Sequence, residues 1–178
     1  MTPIKVLLIE NNENDADLAR RPLRKESNPP FDVDWVKDLS TGLERIARGG
    51  IDVIVLDLGL PDSKGLESFT RIQAQASDLP IIILTGSYRD DALALQALKQ
   101  GAQDYLMKGE LDGKMLVRVI RYAIERKQIQ VKLLEMTRQL QMQLDQVAWL
   151  QRIMMDREKE IIELKESIEA LTKELNGR

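Results

Sequence analysis

Ile51-Asp-Val-Ile-Val-Leu-Asp57-Leu-Gly-Leu-Pro61 is the stretch that decides how this chain is read. Val53 to Leu56 is a short unbroken apolar run rich in β-branched residues, the pattern of a central strand in a parallel sheet, covered on both faces. The run stops at a carboxylate, Asp57, and Gly59 and Pro61 follow at once. A strand that ends on an acid and opens into a Gly/Pro loop places that acid at the carboxyl edge of the sheet. Open α/β sheets hold their ligands at that edge. Taken alone, Asp57 is equally well explained as an acid that caps the following loop, so the surrounding chain has to decide.

Strand-like and helix-like patterns alternate on both sides of this stretch. Ile4–Ile9 is apolar and β-rich, and Asp15–Lys25 has helical spacing through Ala16, Leu18, Ala19 and Leu23. Phe31–Val36 alternates as a strand near a sheet edge does, and Thr41–Arg48 is a short helix that ends at Gly49-Gly50. After the central strand come a helix from Leu66 to Ala76, a buried strand over Ile81–Leu84 and a helix over Asp90–Gln100 that stops at Gly101. Asp104–Met107 is the fifth strand, and a last helix begins near Leu111. Five βα units with short connections predict an α/β fold, a doubly wound five-stranded parallel sheet with right-handed crossovers. The expected strand order is the flavodoxin-like 2-1-3-4-5.

Composition narrows the chemistry. The 178 residues are 43% hydrophobic and only 4% aromatic, so the core must be aliphatic. The net charge of −3 comes with no basic block, which argues against a nucleic-acid partner. There is no cysteine and no histidine, which excludes disulfides, thiolate or imidazole metal sites and any His-based triad. No apolar run approaches the ~20 residues of a membrane span, and the N-terminus does not read as a signal peptide. A cytoplasmic location is the expectation.

The strand ends carry a coherent set of groups. Strand one ends at Glu10-Asn11-Asn12, strand three at Asp57, strand four at Thr85-Gly86 and strand five at Lys108. Strands one, three, four and five are neighbours in the expected order, so two carboxylates, a carboxamide, a hydroxyl and an ammonium can converge. Oxygen donors of this kind suit Mg²⁺, which takes one or two carboxylates, waters and phosphate oxygens. An Asp carboxylate can itself act as nucleophile and become an aspartyl-phosphate. Thr85 read alone is as readily a helix-capping hydroxyl, and Tyr105 read alone is a packing residue. Glu13, Asp15 and Asp17 read as helix-start acids, favourable at the positive end of the helix dipole.

With these residues in view, the chain resembles the receiver domain of two-component response regulators. The resemblance covers roughly residues 4 to 126 and rests on Glu10-Asn11, Asp57 with Pro61 and Gly65 after it, Thr85, and Tyr105-Leu-Met-Lys108. It implies that Asp57 is the phosphoacceptor, charged from a phosphohistidine on a sensor histidine kinase or a phosphotransfer protein. It implies further that Thr85 and Lys108 contact the phosphoryl oxygens and that Tyr105 is the aromatic that changes rotamer with Thr85. Mg²⁺ would be held by Glu10, Asn11, Asp57 and the backbone carbonyl of Gly59. On this reading the chain is a phosphoacceptor with at most slow autodephosphorylation, not a dedicated enzyme. Two positions depart from the family pattern. Asn11 stands where a second acid is usual, which removes a charge and lowers the expected Mg²⁺ affinity, and Gly109 stands where a proline usually follows the lysine.

All six prolines lie at or before Pro80, and between Gly113 and Gly177 there is no glycine. From Ile129 the apolar positions fit one heptad register. Position a holds Leu133, Leu140, Val147, Met154, Ile161, Ile168 and Leu175, and position d holds Ile129, Met136, Leu150, Leu164 and Leu171, with Gln143 and Arg157 as polar exceptions. Sustained heptads with β-branched a residues and leucine at d predict a parallel, dimeric coiled coil. The expected organisation is a receiver domain over 1–126 and a coiled-coil dimerisation helix over 127–178, continuous with the last receiver helix. No helix-turn-helix pattern follows residue 126. The expected function is two-component signalling through a homodimer. The alternative is a degenerate receiver that serves as a phosphate-independent docking head on a coiled-coil scaffold, a reading that Asn11 supports.

Overall fold

The computed structural model describes residues 2–26, 28–86 and 91–176. The elements are β1 (Ile4–Ile9), α1 (Glu13–Lys25), β2 (Phe31–Val36), α2 (Leu39–Ala47), β3 (Val53–Asp57), α3 (Leu66–Gln75), β4 (Ile81–Thr85), α4 (Asp91–Lys99), β5 (Asp104–Met107), a 3₁₀ turn over Lys108–Glu110, and α5 (Gly113–Asn176). The five strands form one parallel sheet in the order β2-β1-β3-β4-β5, as the alternating pattern predicts. The predicted start of the fourth helix, Asp90, lies outside the described residues.

The chain divides into two compact units, residues 1–131 and 132–178, and α5 contributes to both. In the first unit the sheet is buried on both faces because the central runs of its inner strands, Val6–Ile9, Val53–Leu56 and Ile81–Leu84, are apolar. Alternation sends successive side chains to opposite layers. Leu7, Ile9, Ile54, Leu56 and Ile83 pack with Leu39, Ile46, Phe69, Ile72 and Ala97 from α2, α3 and α4. Val6, Leu8, Val53, Val55, Ile82 and Leu84 pack with Ala16, Ala19 and Leu23 of α1 and with Leu116, Ile120 and Ala123 of α5. Each such Leu or Ile contributes about 1.5–3 kcal/mol by leaving water, so the core is mainly aliphatic, with Phe69 as its one fully buried aromatic ring among the described residues. β2, at the sheet edge, alternates half-buried and exposed residues along most of its length.

Small residues set two contacts that hold the unit together. Gly113, at the start of α5, lies so close to α1 that a Cβ there would collide with Pro22 Cβ. Pro22 sits inside α1. Gly65 precedes α3 with φ of 60°, a region that non-glycine residues rarely adopt. Its N–H closes the loop after β3 by donating to the Leu58 carbonyl at 2.9 Å.

The second unit is the remainder of α5. Its side chains are exposed from Lys132 to Thr172, including the heptad residues Leu133, Leu140, Val147, Leu150, Met154, Ile161, Leu164, Ile168 and Leu171. No helix among the described residues is long and apolar enough to cross a membrane.

Candidate functional site

The site is built at the carboxyl edge, where β1, β3, β4 and β5 each deliver one group. β3 runs one residue further than its apolar stretch and ends on Asp57 itself; β4 likewise ends on Thr85. Register places Asp57 beside Leu84 and Thr85 beside Met107. Both site residues are buried, Asp57 at 6% exposure and Thr85 at 1%. The first residue of the 3₁₀ turn is Lys108, so its ammonium is delivered directly from the end of β5. Asp57, Gly59, Lys64, Gly65, Thr85, Leu93 and Lys108 are among the residues lining a cleft of about 420 Å³. The backbone at Gly59 runs close against the acid: a Cβ there would lie 3.3 Å from Asp57 Oδ2.

Lys108 is the hub. Its Nζ lies 2.7 Å from Glu10 Oε2, 3.1 Å from Asp15 Oδ2 and 3.2 Å from Asp57 Oδ2. Only the Asp15 contact is a hydrogen bond by geometry among the described residues; the other two are ion pairs. Burial alone would push the Lys108 ammonium down, but the carboxylates of Glu10, Asp57 and Asp15 outweigh it and hold its pKa above the ordinary lysine value. Burial pushes the Glu10 carboxyl up, and Asp57 adds to the rise. The Lys108 ammonium and the Asn12 N–H pull it back only in part. The two directions agree physically: Glu10 supports the ammonium at the shortest distance, 2.7 Å, yet its own burial outweighs what it receives in return.

The first strand end is held rigidly. Glu10 is wholly buried. Its N–H donates to the Val36 carbonyl at 3.0 Å, its Oε1 accepts from the Asn12 N–H at 2.9 Å, and its carbonyl accepts from the Trp35 indole at 2.8 Å. Arg20 in turn covers the Trp35 ring at 4.4 Å.

The structure therefore brings together Asp57, Gly59, Thr85 and Lys108 in the cleft, and Glu10 through Lys108. Asn11 is exposed beside Glu10, and neither it nor Tyr105 is among the described residues lining the cleft. Tyr105 pairs with Ile83, two residues before the Thr85–Met107 pair, and its half-buried ring packs on the α2–α4 layer. Asp15 was not legible as a site residue. Helix-start charge accounts for an acid there, and it does lie in the first turn of α1. Its second role depends on a contact with a residue 93 positions away.

Two features of the site suit particular ligands. The buried Thr85 hydroxyl has no hydrogen-bond partner among the described residues. A buried hydroxyl left unpaired costs about 1–3 kcal/mol, so the position is suited to an incoming oxygen. Among the described residues no set of three acidic side chains is placed to hold a metal ion by itself. Glu10 Oε2 and Asp57 Oδ2 instead converge on the Lys108 ammonium, at 2.7 and 3.2 Å, and two carboxylates that converge in this way suit a divalent ion whose shell amide, carbonyl and water oxygens would complete. That is the donor set Mg²⁺ accepts.

Comparison with known proteins gives a consistent picture. The family model for the response regulator receiver domain matches residues 6–121. The chain is similar to the swarming motility regulation protein RssB of Serratia marcescens, 33% identical over 105 residues, covering 59% of this chain and 46% of that protein. It is also similar to the KDP operon transcriptional regulatory protein KdpE of Escherichia coli, 36% identical over 123 residues, covering 66% of this chain and 52% of that protein. The chain thus spans about half the length of these relatives. Among solved structures, the response regulator receiver domain protein from Clostridium thermocellum matches with a TM-score of 0.61 and 26% identity, over 71% of this chain and 98% of that one. The signal receiver domain of an HD domain-containing protein from Pseudomonas fluorescens matches with a TM-score of 0.64 over 74% of this chain and 94% of that one; at 24% identity it speaks for the fold.

Proposed function

The chain belongs to the response regulator receiver domain family, and from that membership we propose that Asp57 is the phosphoacceptor of a two-component system. Its carboxylate attacks the phosphorus of a phosphohistidine on a sensor kinase or phosphotransfer protein. A P–O bond forms on Asp57, the P–N bond breaks, and the imidazole leaves with its electron pair and takes up a proton. The observation that carries this reading is the convergence at one cleft of the buried Asp57 carboxylate, the Lys108 ammonium 3.2 Å from it, and the Thr85 hydroxyl, which has no hydrogen-bond partner among the described residues.

Lys108 compensates charge on the transferred group, and the Thr85 hydroxyl donates to one of its oxygens. Thr85 is thereby drawn toward the site, and Tyr105, on the neighbouring strand, moves with it. Glu10, Asp57, Asn11 and the Gly59 carbonyl would hold Mg²⁺, which when bound neutralises charge between the acids and the phosphoryl group. Dedicated hydrolase activity is not part of this function; slow loss of the phosphoryl group to water is.

The output is assigned to α5. Its heptad seam is exposed along the second unit, from Leu133 to Leu171, and a second copy of the chain supplies the matching seam in a parallel coiled coil. The receiver is taken to extend over 1–126 and the dimerisation helix over 127–178. The protein acts in the cytoplasm, with a kinase or phosphotransfer protein and its own second copy as partners, and with neither nucleic acid nor membrane insertion in its role. A second reading, a phosphate-independent docking head, is favoured by Asn11, which brings no charge to the cation site.

Intact-mass measurement after incubation with Mg²⁺ and a small-molecule phosphodonor separates the two readings. The expected result is one phosphoryl adduct on the parent and none on Asp57→Ala. No adduct on the parent, with one appearing on Asn11→Asp, would establish the docking-head reading instead.

A further inference from the structure

We propose that Asp15 is a positioning residue of the phosphoacceptor site: its carboxylate retains the Lys108 ammonium when a divalent cation takes up the carboxylates of Glu10 and Asp57. The proposal rests on the assignment of Glu10 and Asp57 to Mg²⁺.

In the structure one ammonium is shared by three carboxylates, at 2.7 Å from Glu10, 3.1 Å from Asp15 and 3.2 Å from Asp57. A divalent cation that binds Glu10 and Asp57 competes with Lys108 for both of them. Lys108 cannot be released into the surrounding core, since an ammonium moved away from its acids in a partly buried place is strongly disfavoured. Asp15 is the one acid of the three that stands outside the proposed metal donor set, and among the described residues it alone accepts a hydrogen bond from Nζ. It is also the most hydrated: its side chain is 29% exposed, against 0% for Glu10 and 8% for Asp57. A pair formed there keeps part of its water, so shifting the ammonium toward Asp15 costs little desolvation.

The local backbone frees Asp15 for this role. Asn12 caps α1, its Oδ1 accepting from the N–H groups of Asn14 at 2.9 Å and Asp15 at 3.3 Å. In a capping box the side chain three residues after the cap, a Glu or Gln, reaches back to the cap's own N–H. Here that N–H is already taken by Glu10 Oε1 at 2.9 Å, so the Asp15 carboxylate is directed to Lys108 instead. Asn11 makes the arrangement consequential. Without a charge at that position the cation has only two acids with which to outbid Lys108, so whatever keeps the ammonium aside contributes directly to its affinity.

The test is calorimetric titration of the full chain with MgCl₂ alone, so that the readout is binding and not phosphorylation. Asp15→Asn and Asp15→Ser are each expected to weaken Mg²⁺ binding about fivefold or more, and Asp15→Glu to stay within about twofold of the parent. Because Asp15 acts through Lys108, the loss on Asp15→Asn is expected to shrink below about twofold in a Lys108→Ala background, the coupling that a double-mutant cycle isolates. Unchanged or tighter binding by both Asp15→Asn and Asp15→Ser would overturn the proposal, as would a loss of equal size with Lys108 absent. A parent chain that binds Mg²⁺ while Asp15→Asn matches it removes the role of Asp15 alone. A parent chain that does not bind Mg²⁺ removes the metal assignment and this role with it.

Discussion

Ile54, Leu56, Ile82 and Ile83 in the first unit are fully buried, whereas Leu133, Leu140, Ile161 and Leu164 in the second expose half or more of their surface. The residue types are the same and the outcome is opposite, because the two units solve burial differently. A strand covered on both faces by helices of its own chain completes its core within one molecule. A helix with a seam along one side needs a second helix. The stability of the first unit is therefore a property of the chain, and under the proposed pairing of seams that of the second becomes a property of its concentration.

Phe69 offers the hardest test of the self-contained half. Its ring is fully buried against the α2–α4 layer, and Phe69→Ala removes both the transfer free energy and the packing around the ring. The expected cost is about 3–5 kcal/mol in urea unfolding of the first unit, with a midpoint independent of protein concentration. A loss under about 1 kcal/mol would mean that this layer is not the tight core described above.

Leu164 probes the other half. Leu164→Asp places a charge at a d position of the proposed seam. Sedimentation equilibrium is expected to show the dimer dissociation constant rising about 100-fold or more, equivalent to roughly 2.7 kcal/mol. Leu134→Asp is the control. Leu134 is the more exposed of the two, at 72% against 60%, but it lies at position b, off the seam, and its replacement is expected to leave association unchanged. Equal effects at the two positions would abolish the distinction between seam and surface.

The contrast between the units also explains how much could be read from the sequence. Continuous apolar runs and heptads are local patterns, so the five strands, their order and the long helix were all legible. Element ends were less so, and for a physical reason that bears on the site. β3 and β4 extend one residue beyond their apolar runs because Asp57 and Thr85 still pair in the ladder, so the chemistry sits on the sheet itself. α1 starts two residues earlier than its apolar spacing implies, since the Asn12 cap fixes the beginning. The last helix starts at Gly113, two residues later than expected, after the 3₁₀ turn that presents Lys108. Glu10, Asp57 and Lys108 were legible because each stands alone at a strand end. Asp15 was not, because a sufficient local explanation concealed a contact made across the sheet edge. Neither was the Trp35 indole that braces the Glu10 carbonyl from the edge strand.

The smallest expected effect concerns acid, and it sharpens the contrast because it should fall on the first unit alone. Asp38 caps α2, with Oδ1 accepting from the Thr41 N–H at 2.7 Å and from the Ser40 hydroxyl at 2.8 Å. The Thr41 backbone N–H, helped by the hydroxyls of Thr41 and Ser40, holds this carboxyl below the usual range against the opposing effect of its slight burial. A carboxyl whose pKa is lower in the folded chain than in the unfolded one stabilises the fold above the ordinary carboxylate range, and that stabilisation is lost as pH falls through the folded value. Removing an N-cap of this kind costs about 1 kcal/mol. Asp38→Ala is therefore expected to lower the stability of the first unit by about that much near neutral pH. It should also flatten the acid limb of its stability profile by a similar amount, because the variant has already lost what protonation removes. Urea unfolding at a series of pH values reads both quantities, and coil association near neutral pH should be untouched by the same substitution. If the acid limb of Asp38→Ala runs parallel to that of the parent, the cap is not where the first unit's acid sensitivity resides. The neighbouring carboxylate of Asp62, which accepts from the N–H groups of Leu39 and Ser40 at 2.9 Å each, is then the next group to remove.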